Sequence, residues 1–183
     1  MAYLKSLARL SLHITPARLG GTSSGFGSKR TSRRSIVGKM VAVRQFQVTF
    51  DCEVPERVAR FWCDVLGYAV PPPPEGFADW NEFDRALPSG KQGAAYACVD
   101  PTWVGPRLFF QRVPEGKVVK NRVHLDVRVG TGLSGADRLA VLEAECARLV
   151  ERGAVRVRLL PAADGEESCI VMQDVEGNEF CLD

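Results

Sequence analysis

His124 is the one histidine in the part of the chain that carries a folding pattern, and it lies within NRVHLDVRV. There Val123, Leu125, Val127 and Val129 alternate with His124, Asp126 and Arg128, the period of a strand with one apolar and one polar face. An imidazole titrates near neutrality, so a histidine on a polar strand face suits a general base or a hydrogen bond to a ligand. A plain hydrogen bond within a polar cleft, beside Asp126 and Arg128, is the competing account. No Ser/His/Asp arrangement and no activated-cysteine motif points to covalent chemistry, so His124 is the catalytic candidate.

Three more residues join His124 because the chain repeats one plan. Before the stretch Arg107–Val129 the order is strand, Pro-started helix, glycine and strands; after it the same order returns. Superposing the halves pairs Gln47 with His124, each on the polar face of its half's first strand. It also pairs Gln111 with Cys181, each near the end of its half's last strand. Two sheets facing each other about a pseudo-twofold axis would bring Gln47, Gln111, His124 and Cys181 into one cup, with Phe109 on the face of Gln111. These are the expected substrate-binding residues. Asn121 and Arg122, just ahead of the His124 strand, read either as an anchor for an anionic substrate or as a solvated linker with Lys117 and Lys120.

The elements that must hold this cup are legible in turn. In RQFQVTFD, Phe46, Val48 and Phe50 alternate with Gln45, Gln47 and Thr49, and Phe46 and Phe50 are expected to pack under the following helix. Pro55 suits a first helical turn; Val58, Phe61, Trp62, Val65 and Leu66 form its apolar stripe, and Gly67 ends it. Four consecutive prolines open PPPPEGFADWNEFD, which reads as an extended loop, with Phe77 and Trp80 either lidding the site or covering the core edge. In the second half Ser134 is the expected N-cap, Leu139, Leu142, Cys146, Leu149 and Val150 the stripe, and Gly153 the stop. The turn Asp174–Asn178 then leads to a last strand at Glu179–Asp183.

Composition narrows the partners. Residues 1–50 hold nine Lys or Arg and no Asp or Glu, leaving 15 basic against 22 acidic residues over 51–183. An acidic body lacks the footprint that phosphate backbones require, so no nucleic-acid partner is expected. No apolar run reaches the ~18 residues a membrane span needs. Residues 1–40, rich in Ser, Gly, Arg and Lys without an apolar period, read as a disordered basic extension to a domain over 41–183. An organelle transit peptide and a basic arm for an anionic partner are the rival readings. None of the six cysteines forms a CxxC pair, which suits buried free thiols and a cytoplasmic protein, or an organellar one if the extension is a transit peptide.

The phrases VPERVARFWCDVLGY, FFQRVPEGKVVKNRVHLDVRV and DVEGNEFCLD, set in two βαβββ repeats, resemble the vicinal oxygen chelate superfamily. Within it they resemble the glyoxalase-like branch related to glyoxalase and bleomycin-resistance proteins. The resemblance covers about Arg44–Asp183. It implies an α+β fold of two βαβββ modules, 44–113 and 121–183, forming an open barrel, and a homodimer. It also implies a small-molecule ligand, with three outcomes: plain binding, a lyase, isomerase or dioxygenase, or sequestration of a drug. The family's metal enzymes place ligands on the first and last strands of each module, which here are Gln47, Gln111, His124 and Cys181. Cys181 stands where that pattern has a Glu that serves as ligand and base, and Gln111 where another Glu is usual. Neutral amides bind first-row metals weakly, so the expectation is no tightly bound cofactor, with a divalent metal on those four residues as the alternative.

Overall fold

The structure, a computed structural model, describes residues 44–163 and 166–183; the extension expected over residues 1–40 lies outside them. All described elements belong to the unit Phe46–Asp183. The first strand, β1, spans Gln47–Cys52 and is followed by helix α1, Pro55–Leu66. Proline opens α1, and Gly67, at φ +67°, closes it in the left-handed region that a glycine enters without strain. The α1 stripe is buried as its spacing predicts, with Val58 and Trp62 almost fully enclosed. Strands β2 (Ala95–Cys98) and β3 (Arg107–Arg112) complete the first sheet in the order β1-β3-β2. β1 runs parallel to β3, with Gln47 opposite Arg107, Thr49 opposite Phe109 and Asp51 opposite Gln111.

The second sheet repeats this connection. It consists of β4 (Leu125–Val127), β5 (Val155–Leu160), β6 (Cys169–Gln173) and β7 (Glu179–Leu182), ordered β4-β7-β6-β5. Again the first strand lies parallel to the last: Leu125 faces Phe180 and Asp126 faces Cys181. A long helix spans Gly135–Val150 and packs on this sheet, burying Leu142, Cys146 and Leu149 together with Ile170, Met172 and Leu182. The expected α+β fold of two modules with open sheets is therefore present.

Four sequence expectations are corrected. The strand expected after Gly67 is reduced to a single bridge, Ala69–Val99, with both hydrogen bonds at 2.9 Å, because the proline run from Pro71 cannot supply ladder donors. The proline-rich stretch is not loop throughout: Trp80–Ala86 is a helix capped by Asp79, whose carboxylate accepts from Glu82 N at 2.7 Å. Glu82 in turn accepts from Ala78 N at 2.7 Å, a reciprocal cap that starts a helix as soon as the prolines end. With this helix α2, the helix over Gly135–Val150 becomes α3. Phe46 does not pack under α1; it precedes β1 and is 69% exposed. Ser134 occupies the α3 N-cap position, but its side chain makes no capping bond.

The two halves share one core. Trp62 of α1 meets Phe180 of β7 at 5.3 Å between ring centroids, and Phe50 stacks on Phe110 at 5.1 Å. The β6–β7 turn clamps the start of α1: Glu176 accepts from Glu53 N at 2.6 Å, Val54 N at 2.8 Å and Arg57 Nη2 at 3.1 Å. Val54 has no polar side chain to cap its own helix, so a carboxylate from the other half sits at that positive helix end.

Candidate functional site

β1 and β4 are each the outer strand of their sheet, and both border a cavity of about 790 Å³. Gln47–Asp51 form one part of its lining and Val123–Leu125 another. Phe50 supplies aromatic surface with the buried Trp62 behind it, and the linker between the halves supplies Val113, Val118 and Val119. The linker is held in place by Glu179. Its carboxylate accepts from Asn121 N at 3.0 Å and pairs with Lys117 Nζ at 3.0 Å. Burial works to raise this acid, yet the Asn121 N–H and the Lys117 ammonium together hold it down at about 2.

Within the second sheet, strand period and register assemble a compact donor group. His124 and Asp126 are two positions apart, on one face, and the parallel register sets Asp126 beside Cys181. His124 Nε2 lies 3.3 Å from Asp126 Oδ1. One ligand atom from each of His124, Asp126 and Cys181 fits within 4.8 Å of the other two. Burial, then the neighbouring Cys169 and Asp126, push the Cys181 thiol up to about 12, so it is protonated at neutral pH in this environment and is not an activated nucleophile. Imidazole, carboxylate and sulfur are the donors that zinc and similar borderline metals accept. The donor chemistry therefore fits a divalent ion better than the two glutamines do.

Gln47 and His124, paired by the sequence repeat, both line the cavity, whereas Gln111, Cys181 and Phe109 do not. Gln47 donates to Thr49 Oγ1 at 3.1 Å and accepts from Arg107 Nη1 at 3.0 Å. Gln111 donates to Asp51 Oδ1 at 2.6 Å. Phe109 is buried beneath the Arg107 guanidinium, 5.3 Å from its ring centre. Phe77 and Trp80 form no lid: they pack on Phe83, and Trp80 also meets Tyr96. The residues missed in the sequence are Asp51, Glu115, Lys117 and Glu179. Asp51 had a signal, because it continues the Gln47-Thr49 face by the same two-residue step.

Two parallel first-to-last-strand pairings, β1 with β3 and β4 with β7, each with a helix and joined about an edge cavity, define a glyoxalase-like protein. The chain belongs to the glyoxalase-like domain family, whose match spans residues 47–182, within the vicinal oxygen chelate superfamily. Comparison with curated proteins finds no match. Among solved structures, the chain is similar to a variant of the fosfomycin resistance protein FosX from Listeria monocytogenes, complexed with Mn(II) and 1S,2S-dihydroxypropylphosphonic acid. That likeness has a TM-score of 0.51 and 11% identity, covering 78% of this chain and 90% of the other. It is also similar to a glyoxalase/bleomycin resistance protein/dioxygenase family enzyme from Burkholderia phytofirmans PsJN, at a TM-score of 0.48 and 11% identity, covering 74% and 94%. At such identities the likeness concerns the fold. Among the described residues, no helix is long and apolar enough to cross a membrane.

Proposed function

We propose that this protein binds a small organic molecule in the cavity between β1 and β4, with Gln47 and His124 as the polar contacts. The observation that carries this reading is that Gln47 of the first module and His124 of the second line one cavity of ligand size, about 790 Å³, beside the Phe50 ring. His124 is the group to act as base if the bound molecule is turned over, since it alone among the lining residues pairs a side-chain imidazole with a carboxylate neighbour. A thermal-shift screen of small organic molecules, repeated on His124→Ala, tests the reading. Hits on the wild type that weaken about tenfold or more in His124→Ala support it; hits indifferent to His124→Ala and Gln47→Ala would place the ligand elsewhere.

A second reading is favoured by the His124, Asp126 and Cys181 group: a divalent metal held by these three side chains. Bound there, the ion would act as a Lewis acid toward a ligand oxygen. Elemental analysis of chelator-free protein, with Cys181→Ser and Asp126→Asn beside it, separates the two readings. Stoichiometric metal lost in both variants supports the metal; metal-free protein that still binds ligand supports the first reading alone. A homodimer, with residues 41–183 as the folded unit, completes the proposal; sedimentation of the full chain checks it.

A further inference from the structure

The charge around the cavity is lopsided. Its acidic lining residues are Asp51, Glu115 and Glu179, and its basic ones Lys117 and His124. Lys117 is committed to Glu179 at 3.0 Å, and His124 faces Asp126 at 3.3 Å, so each base is offset by a carboxylate of its own. Asp51 accepts a neutral amide hydrogen bond from Gln111, and neither Asp51 nor Glu115 has an ion pair among the described residues. The linker sharpens this asymmetry. Val118, Val119, Asn121 and Val123 contribute to the lining, whereas Lys120 and Arg122 do not. The arginine that the sequence offered as an anion anchor is therefore not a cavity residue. Arg107, the nearest guanidinium to Gln47, bonds the Gln47 amide oxygen and lies over Phe109, and it too is absent from the lining.

We infer that the cavity selects an organic cation, an amine or quaternary ammonium carried on a flat apolar body, and disfavours anions. The body would lie against Phe50, Val48 and Leu125, and the charge would face Asp51 and Glu115. An ammonium near the Phe50 face gains further from the ring quadrupole, and its attraction to the exposed carboxylates of Asp51 and Glu115 is strongest at low salt. An anionic ligand would meet the two unoffset carboxylates instead. This inference rests on the cavity reading above and adds the ligand's charge to it.

The test uses three probes sharing one ring system: (2-naphthylmethyl)trimethylammonium, its uncharged isostere 2-neopentylnaphthalene, and 2-naphthylacetate. Affinities are measured calorimetrically at low salt with the full chain. The cation is expected to bind about tenfold more tightly than the isostere and the acetate about tenfold more weakly, the scale of one cation–π contact combined with a charge contact. The paired substitution Asp51→Asn with Glu115→Gln should close most of the gap between cation and isostere, and Lys120→Ala should leave that gap intact. Equal binding of cation and isostere, or tighter binding of the acetate, overturns the charge inference while leaving the cavity reading standing. Failure of all three probes to bind overturns both.

Discussion

The indole N–H of Trp62 donates to Asp174 Oδ2 at 3.1 Å, and both residues are almost fully buried. The same carboxylate accepts from Glu176 N and Asn178 N, each at 2.9 Å, and from Asn178 Nδ2. One side chain of the β6–β7 turn thus shapes its own loop and fastens the helix of the other half. Asp174→Ala would strand a buried indole donor and two turn N–H groups. We expect a loss of about 2–4 kcal/mol, read from urea unfolding, with Trp62→Phe costing less because it removes the donor together with its need.

Glu176 performs the companion task at the start of α1. Glu176→Ala removes the acceptor for Glu53 N and Val54 N, and the expected cost is about 1–2 kcal/mol, the range of a lost helix cap. Glu176→Gln keeps an acceptor but not the charge near the helix end, so it should lie between alanine and the wild type. Equal stability of all three forms in the same urea titration would remove Glu176 from this role.

The linker wall of the cavity should loosen in acid. Glu179 is held at about 2, below the ordinary carboxylate value of 4.5, so its stabilisation is fully present above that ordinary value. It is lost as the pH falls from about 4.5 toward 2, since protons then favour the unfolded chain. Unfolding free energies measured across that window should fall less steeply for Glu179→Gln than for the wild type. Lys117→Ala should flatten the same limb in part.

The cysteines should differ in reactivity even though all six are free. A hydrogen bond from the Cys98 thiol lowers Cys63 against the opposing effect of burial, whereas burial raises Cys52 and Cys181 to about 12. Brief alkylation of the native protein, followed by peptide mass mapping, should label Cys63 ahead of Cys181 by about tenfold or more. Cys98→Ala should narrow that lead.

Much of this architecture is local and therefore legible in the amino-acid order. A two-residue alternation marks β1 and β4, a stripe from Val58 to Leu66 marks α1, and Pro55 and Gly67 bound it, because backbone geometry alone sets those periods. The repeat of strand, helix and strands also paired Gln47 with His124, and both line the cavity. Where local signals competed, the sequence misled: the prolines hid the Asp79-Glu82 cap, and alternation assigned Phe46 to a core that begins beyond it.

The rest was decided by packing between distant segments. Arg138 of α3 is buried beside Leu142, its charge met by segments far away in sequence: it donates to Ser168 O at 3.1 Å and Gly130 O at 3.0 Å and pairs with Asp183. Asp126 meets Cys181 only because β4 lies parallel to β7 in one register, and a shift of one residue would turn it to the other face. Glu115, Lys117 and Glu179 become cavity residues only once the linker, tied to Glu179, borders the same cavity as β1. The sequence by itself determined most of the strands, the helices α1 and α3 and which side chains share a face. Which faces meet depends on contacts between segments far apart in the chain, and only the tertiary structure decided that.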